Sequence, residues 1–429
     1  MVTNGSRKNT LILGFTLLVV LLGYGMVQPI IPFLITKLGA SGRDLGVLTS
    51  VYATMQLVFA PFWGTLSDRI GRKPVLLIGV LGYAITMFAF GLSTRFWMLF
   101  VSRTFSGMLS SGTLPAALAY VSDNLPEKER GGAMGQLGAA TGVGLVLGPL
   151  LGGLLSTGSL SLPFFVGAGL ALLSVLLVYL LLPESRSAWT AAHPAQTDTF
   201  WRWNALKPIL LSPAGILLLL ILIVNFGLTV FQGIGGLYVL KKFNFDTRQM
   251  GALLMVVGVV MVLGQGALAG LLAKFIGEVK VIRFALLVGA FGFIALLLAN
   301  GFLPILLAAG LFSLAYALAN PALNSYLSAF GGEQQGGMMG LNAAFASLGR
   351  VFGPLWAGFV FDINLVYPFA SSMVVLFIGF VVSLVGLRVK SIKPADEAAA
   401  FNKMLGGPDH SARVGEMVKA APIEIPSKK

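Results

Sequence analysis

Two arginines stand inside long apolar runs, and any chemistry this chain performs has to start from them. Arg103 lies in Leu99-Phe-Val-Ser-Arg103-Thr-Phe-Ser-Gly107, and Arg350 closes the stripe Asn342, Ala346, Arg350. A guanidinium in apolar surroundings is costly unless it faces protein, water or an anion, and it stays charged at physiological pH. It can hold charge but cannot shuttle protons. Polar residues accompany the arginines at spacings of four and seven: Tyr24 with Gln28, Tyr52 with Gln56, Asn225 with Gln232, and Tyr316 with Asn320 and Asn324. These spacings align side chains on one helical face. In lipid such a face turns inward, where any one residue glues helices together and the set lines a cavity, with Phe231, Phe345 and Trp356 as candidate apolar walls. The alternative for Arg103 is to snorkel to the nearer membrane surface.

Bond-making chemistry finds no footing. The two histidines, His193 and His410, lie in polar segments, cysteine is absent, and no nucleophile–base pair, metal-ligand cluster or phosphate loop emerges. The expectation is therefore no enzyme, no cofactor and no metal. Nor does any carboxylate fall deep in an apolar run, since Asp44, Asp123, Asp246 and Asp362 sit at run ends or in loops. A proton-coupled carrier built this way has to titrate Asp44 at one end, or Asp68 or Asp123 at the other.

The elements that position these residues are read from composition. Of 429 residues, 56% are hydrophobic and 10% charged, whereas about a quarter are charged in a soluble domain. The chain is a polytopic membrane protein. With about 20 apolar residues per crossing, runs lie near 10–36, 45–66, 75–93, 97–121, 132–156 and 162–182, and again near 210–240, 248–273, 281–300, 303–329, 337–361 and 366–388. The expected organisation is a six-helix bundle over 1–182, a linker over 183–209, a second bundle over 210–389 and a tail over 390–429. Arg7-Lys8 ahead of an apolar run resembles a signal peptide, but no small-x-small site follows, so a retained first helix is expected.

An even number of crossings puts both termini on one side. The opposite side holds Lys37, Arg43, Arg95, Lys241, Lys242 and Arg248, and the other loop and tail bases all fall on the terminus side. By the positive-inside rule the termini are cytoplasmic. The net charge of +13 accordingly fits a membrane surface, and without an aromatic-basic stripe it does not suggest nucleic acid. The halves also repeat. Gly64-x-Leu66 through Lys73 returns as Gly270-x-Leu272-Ala-Lys274-Phe-Ile276-Gly277-Glu278, Pro115 and Glu127 as Pro321 and Glu333, and Gly144 to Pro149 as Gly349 to Pro354.

The loop Gly64-Thr-Leu-Ser-Asp68-Arg69-Ile-Gly71-Arg72-Lys73 resembles that between the second and third helices of the major facilitator superfamily. The resemblance implies a twelve-helix, all-α fold of two pseudo-symmetric bundles and a conformational latch made by Gly64, Asp68, Arg69, Gly71, Arg72 and Asp123, closing the cytoplasmic side. In the latch, Asp68 meets a helix N-terminus, whose free N–H groups attract an anion. The competing reading is that Arg69, Arg72 and Lys73 only obey the positive-inside rule. The Arg103 segment is similar to the superfamily's R-x-x-Q-G pattern, with Ser106 in place of Gln, which implies a role in binding or coupling. Gly144-x3-Gly148-Pro149-x2-Gly152-Gly153 resembles the antiporter motif of the drug:proton antiporters. Leu22-Gly23-x5-Pro29-x2-Pro32 is similar to the first-helix pattern of twelve-helix multidrug and tetracycline exporters.

Together these resemblances imply a secondary active transporter of the bacterial plasma membrane, working by alternating access as a monomer and exchanging lipophilic drugs for protons. The alternative within transport is a carrier of organic anions or of phosphorylated or glycosylated lipids, which two membrane arginines without a deep carboxylate favour. A membrane-embedded enzyme or receptor is the alternative of a different class.

Overall fold

The computed structural model describes residues 4–185, 209–210, 212–330 and 335–387. Most of the expected linker, all of the tail and Glu333 lie outside the described residues. Every regular element within them is helical. The first half comprises α1 (Asn4–Val27), α2 (Ile31–Lys37), α3 (Gly42–Ile70), α4 (Arg72–Gly91), α5 (Phe96–Ser110), α6 (Thr113–Asn124), α7 (Glu127–Leu155) and α8 (Leu162–Leu181). The second comprises α9 (Pro213–Phe243), α10 (Thr247–Leu263), a π-turn (Gly264–Leu268), α11 (Ala269–Ile276), α12 (Glu278–Leu298), α13 (Phe302–Phe330), α14 (Gln335–Phe361) and α15 (Tyr367–Gly386). Among the described residues, eleven helical stretches are long and apolar enough to span a membrane. The remaining crossing is α5 plus α6, completing a twelve-helix fold.

Two of the apolar runs are broken helices. The first run divides at Gln28-Pro29-Ile30, where Pro29 cannot supply a backbone donor, and restarts as α2 with Pro32 in its first turn. The fourth, expected as one helix over 97–121, divides at Ser111-Gly112. There Pro115 leaves the Ser111 carbonyl without an i→i+4 partner, Ser111 Oγ donates to Met108 O at 2.9 Å, and Gly112 lies against Trp63. Gly71 (φ +101°) and Gly277 (φ +84°) sit at equivalent places in the two halves, each ending one helix and opening the next in a backbone conformation that favours glycine. That requirement is the physical content of the repeat.

Glycine also sets the packing. A Cβ built on Gly144 would lie 2.7 Å from Leu18 O, and one on Gly148 would lie 2.8 Å from Gly25 Cα, so α7 rests directly on α1. In the second half Gly349 repeats this against Leu222 O at 2.6 Å, and Gly353 against Phe226 O at 2.9 Å, seating α14 on α9. The next glycine of the fifth-crossing motif faces elsewhere. Gly153 meets Gly251 of α10 across the boundary between halves, as Gly46 of α3 meets Gly358 of α14. Both pairs lie at the end of the bundle away from the termini.

At the terminus end the halves stand apart. Cβ atoms added at Gly64, Gly131, Gly132, Gly135, Gly138, Gly336 and Gly340 would have no neighbour within 4 Å. Gly64, expected as part of the latch, has nothing against it here. The difference predicts that Gly148→Leu destabilises the protein by about 1–3 kcal/mol, as overpacking does, lowering its melting temperature and abolishing transport while membrane insertion persists. Gly64→Leu should leave the melting temperature unchanged.

Candidate functional site

Between the halves lies a cavity of about 980 Å³ that reaches the exposed Val58, Leu114 and Gly340 on the terminus side. The sealed end, closed by the two glycine pairs, forms its floor. Its wall carries Tyr24, Gln28, Tyr52, Gln56, Arg103, Asn225, Gln232, Tyr316 and Arg350 together. A smaller cavity of about 480 Å³ between α1, α7 and α10 shares Tyr24, Gln28 and Gln232 and reaches Gln265 in the π-turn.

Arg103 does not snorkel. It is 2% exposed, held behind two tyrosines on neighbouring crossings. Its guanidinium carbon is 4.2 Å from the Tyr52 ring centre and 5.7 Å from that of Tyr24, and these two rings stack at 5.7 Å. Rings face a cation with their negative quadrupole, a favourable contact for a buried guanidinium. Gln56 Nε2 donates to Tyr52 Oη at 3.1 Å, fixing that phenol. Arg103 Nε, although buried, has no hydrogen-bond partner among the described residues.

Arg350 enters from the other half and is exposed to the cavity, tethered by Nη2 donating to Ser347 Oγ at 2.7 Å. Asn225 is turned back onto its own helix, donating to Ile221 O at 2.8 Å. Asn320 and Asn324 do not line the main cavity. They form a ladder in which Asn342 donates to Asn324, Asn324 to Asn320 and Asn320 to Tyr316 Oη, at 2.9, 3.4 and 3.2 Å, joining α13 to α14. The expected aromatic walls are also elsewhere. Phe231 is buried against Phe312, Phe345 packs into the hydrophobic core, and Trp356 faces outward, donating to Ser371 Oγ. The apolar wall is aliphatic instead, with Leu17, Val20, Leu21 and Leu57 among its members.

The charged loop is tied within the first half. Arg72, 8% exposed, reaches Asp68 at 2.6 Å, Asp123 at 2.9 Å and Ser67 Oγ at 3.1 Å. The free N–H groups of Arg72 and Lys73 at the start of α4 point to Glu184 Oε1, at 3.0 and 3.3 Å. Asp68 thus meets Arg72 in this conformation, and Glu184 takes the helix N-terminus. These are the only ion pairs among the described residues, so neither Arg103 nor Arg350 has a carboxylate partner there.

The sequence profile of the Major Facilitator Superfamily matches residues 13–328 and 217–409. The chain belongs to the major facilitator superfamily. It is 32% identical over 406 residues to multidrug resistance protein 2 of Bacillus subtilis (strain 168), covering 93% of this chain and 99% of that protein. It is 29% identical over 383 residues to the quinolone resistance protein NorA of Staphylococcus aureus, covering 88% and 96%. Its fold is that of a bacterial homologue of the human lysosomal transporter Spinster, crystallised in an inward-facing and occupied conformation. That match has a TM-score of 0.73 and 15% identity over 89% of this chain and 96% of that one. Membership of this superfamily makes the chain an integral membrane transporter and not an enzyme.

Two residues of this major facilitator chain escaped sequence reasoning. Glu184 had been read as linker. Asp362, immediately after α14, accepts from Gly42 N and Arg43 N, both at 2.8 Å, capping α3 across the boundary between halves. Its signal in the sequence is an acid at the C-terminal end of a helix, where its own helix dipole repels it and another N-terminus has to compensate. Asp44, a candidate proton carrier, is engaged in a capping box with Ser41.

The Arg72 cluster predicts unequal effects on folding. Asp68 is about half exposed, with Arg72 keeping Asp123, so Asp68→Asn should cost under about 1 kcal/mol. Arg72→Gln should cost about 3 kcal/mol or more by removing the shared cation from a largely buried network. Thermal unfolding of the two variants in one detergent checks the order; equal losses would contradict it.

Proposed function

We propose that this transporter exports amphipathic or lipophilic small molecules by alternating access, coupled to proton entry, and that the conformation described here faces the cytoplasm. The observation that carries this reading is the cavity at the boundary between halves, open at the base-rich terminus end and sealed at the other by glycine-to-glycine contact. Multidrug and quinolone resistance relatives supply the direction of transport and the kind of molecule. Export requires the empty carrier to collect from the cytoplasm, and a cavity open at the terminus end supports that reading.

The proposed cycle moves the seal from one end to the other. The outer seal consists of Gly46 on Gly358, Gly153 on Gly251, Asp362 capping α3, Ser50 Oγ donating to Val351 O at 2.8 Å and Thr247 Oγ1 donating to Gly153 O at 3.2 Å. When it opens, the halves close at the other end, and Asp68 is free to meet the N-terminus of α14. Protonation of Asp68 or Asp123 changes the charge around Arg72, the point where proton entry acts on the latch in this reading. Asp44 is placed to act at the outer end.

Efflux into everted vesicles carrying the chain, driven by an imposed pH gradient and followed with ethidium and with a quinolone, tests the reading. Gradient-dependent accumulation of either probe, abolished by an uncoupler, is expected. Accumulation unaffected by collapsing the gradient would exclude proton coupling, and none with either probe would exclude drug export.

The outer seal can be tested separately, because the chain contains no cysteine and one introduced thiol has no background. Asp362→Ala removes a charged cap, about 1 kcal/mol, or roughly a fivefold change in the balance of two states. A Thr49→Cys reporter beneath the seal should then react about fivefold faster with a membrane-impermeant maleimide added outside. An unchanged rate would remove Asp362 from the seal.

A further inference from the structure

We propose that the central cavity holds an amphiphile through an anionic head, a carboxylate or phosphate bound between Arg103 of one half and Arg350 of the other. The inference rests on the transporter reading and goes beyond it by giving the bound molecule a charge. Both guanidiniums line one cavity together with Tyr52, on whose ring Arg103 is packed. Among the described residues no Asp or Glu lines that cavity, and no ion pair involves either arginine. A site for a cationic drug would place a carboxylate where this one places two cations.

The arginines suit different parts of the task. Arg103 is packed behind Tyr24 and Tyr52, with its buried Nε lacking a partner among the described residues, so it offers a preorganised, already desolvated cation. Arg350 is exposed to the cavity and tethered only by Ser347, so it can follow a head group. A planar guanidinium matches carboxylate or phosphate oxygens with two parallel donors. Behind this head site, Leu17, Val20, Leu21 and Leu57 offer an aliphatic surface. A cavity of about 980 Å³ also lies at the upper end of the range, about 300–1,000 Å³, that accommodates drug-sized ligands.

Charge then links binding to movement. Closing the open end brings two like charges from opposite halves toward each other in low dielectric, which opposes closure of the empty carrier. An anion between them reverses the sign of that interaction. Closure is favoured when an anionic molecule is present, and cycling without cargo is suppressed.

Equilibrium binding to the purified full-length chain in nanodiscs decides the matter, with nalidixic acid, its methyl ester and ethidium as probes. The acid should bind wild type at least tenfold more tightly than the ester. Arg350→Gln should remove that preference, Arg350→Lys should retain part of it, and neither should weaken ethidium. An unchanged preference in Arg350→Gln, or equal binding of acid and ester to wild type, would overturn the proposal. So would equal loss of all three probes in a variant with a normal elution profile. Phosphatidylglycerol in the nanodisc separates the two sources of the head group: displacement of the acid assigns the site to a lipid phosphate, and no displacement assigns it to a soluble organic acid. Binding of the acid without transport of any probe in vesicles would sink the exporter reading alone. Transport without an acid preference would sink this one alone.

Discussion

Lipid tails are as apolar as leucine, so helices in a bilayer are drawn together only where their backbones come close enough for many small contacts to accumulate. Everything else in this structure depends on where glycine allows that approach. Along α7 the residues at intervals of four, Gly144, Gly148 and Gly152, make one smooth face for α1, and Gly153, one position on, makes a second contact on α10. The first face builds a half, and the second joins the halves. A contact between two glycines has no side chains to interlock, so it can part and re-form without repacking a core. The same chemistry therefore makes the joint within each half and, in the proposed cycle, the one that parts between them.

The broken crossings follow from the same economy of backbone contact. A membrane helix can lose a hydrogen bond only where protein or water satisfies the freed group. The break at Ser111-Gly112 lies beside Trp63, whose Nε1 donates to Met108 O at 2.7 Å, and Ser110 and Ser111 line the cavity. Irregular backbone occurs where the polar pathway runs, as it does at Pro29 beside Gln28.

Much of this was legible in the sequence because lipid restricts what a residue can mean. Arginines inside apolar runs, and Tyr and Gln at helical spacing, had to turn inward, and the main cavity gathers Tyr24, Gln28, Tyr52, Gln56, Arg103 and Arg350 in its lining. Periodicity along one helix could not tell which inward face meets a cavity and which meets another helix. Hence Asn320 and Asn324, on the same stripe as Tyr316, proved to join α13 to α14. Aromatic residues carry still less direction, since lipid and protein both accept them, and Trp356 turned outward. Glu184 and Asp362 were hidden for a different reason: each acts on a helix end distant in the chain, and only the fold brings donor and acceptor together.

The charges at the two ends of α3 and α14 fit the proposed cycle, in which a symmetric frame works as a two-position device. Pairing of Gly42 with Asp362, Gly46 with Gly358 and Ser50 with Val351 makes the helices antiparallel. Each ends in an acid, Asp68 in the last turn of α3 and Asp362 just after α14, and an acid there is repelled by its own helix dipole. Asp362 is relieved by the exposed N–H groups of α3, and in the proposed cycle Asp68 is relieved by those of α14 at the opposite end of the bundle. The structure holds Asp362 on α3 with the terminus end open, while Asp68 is satisfied locally by Arg72. In the proposed cycle the halves tilt about the cavity that separates these ends, so engaging one acid withdraws the other helix from its partner. Under the proposed cycle, the energy that matters is the difference between the two caps, so neither has to be strong. A difference of about 1 kcal/mol shifts such an equilibrium roughly fivefold, small enough for cargo between Arg103 and Arg350 to reverse.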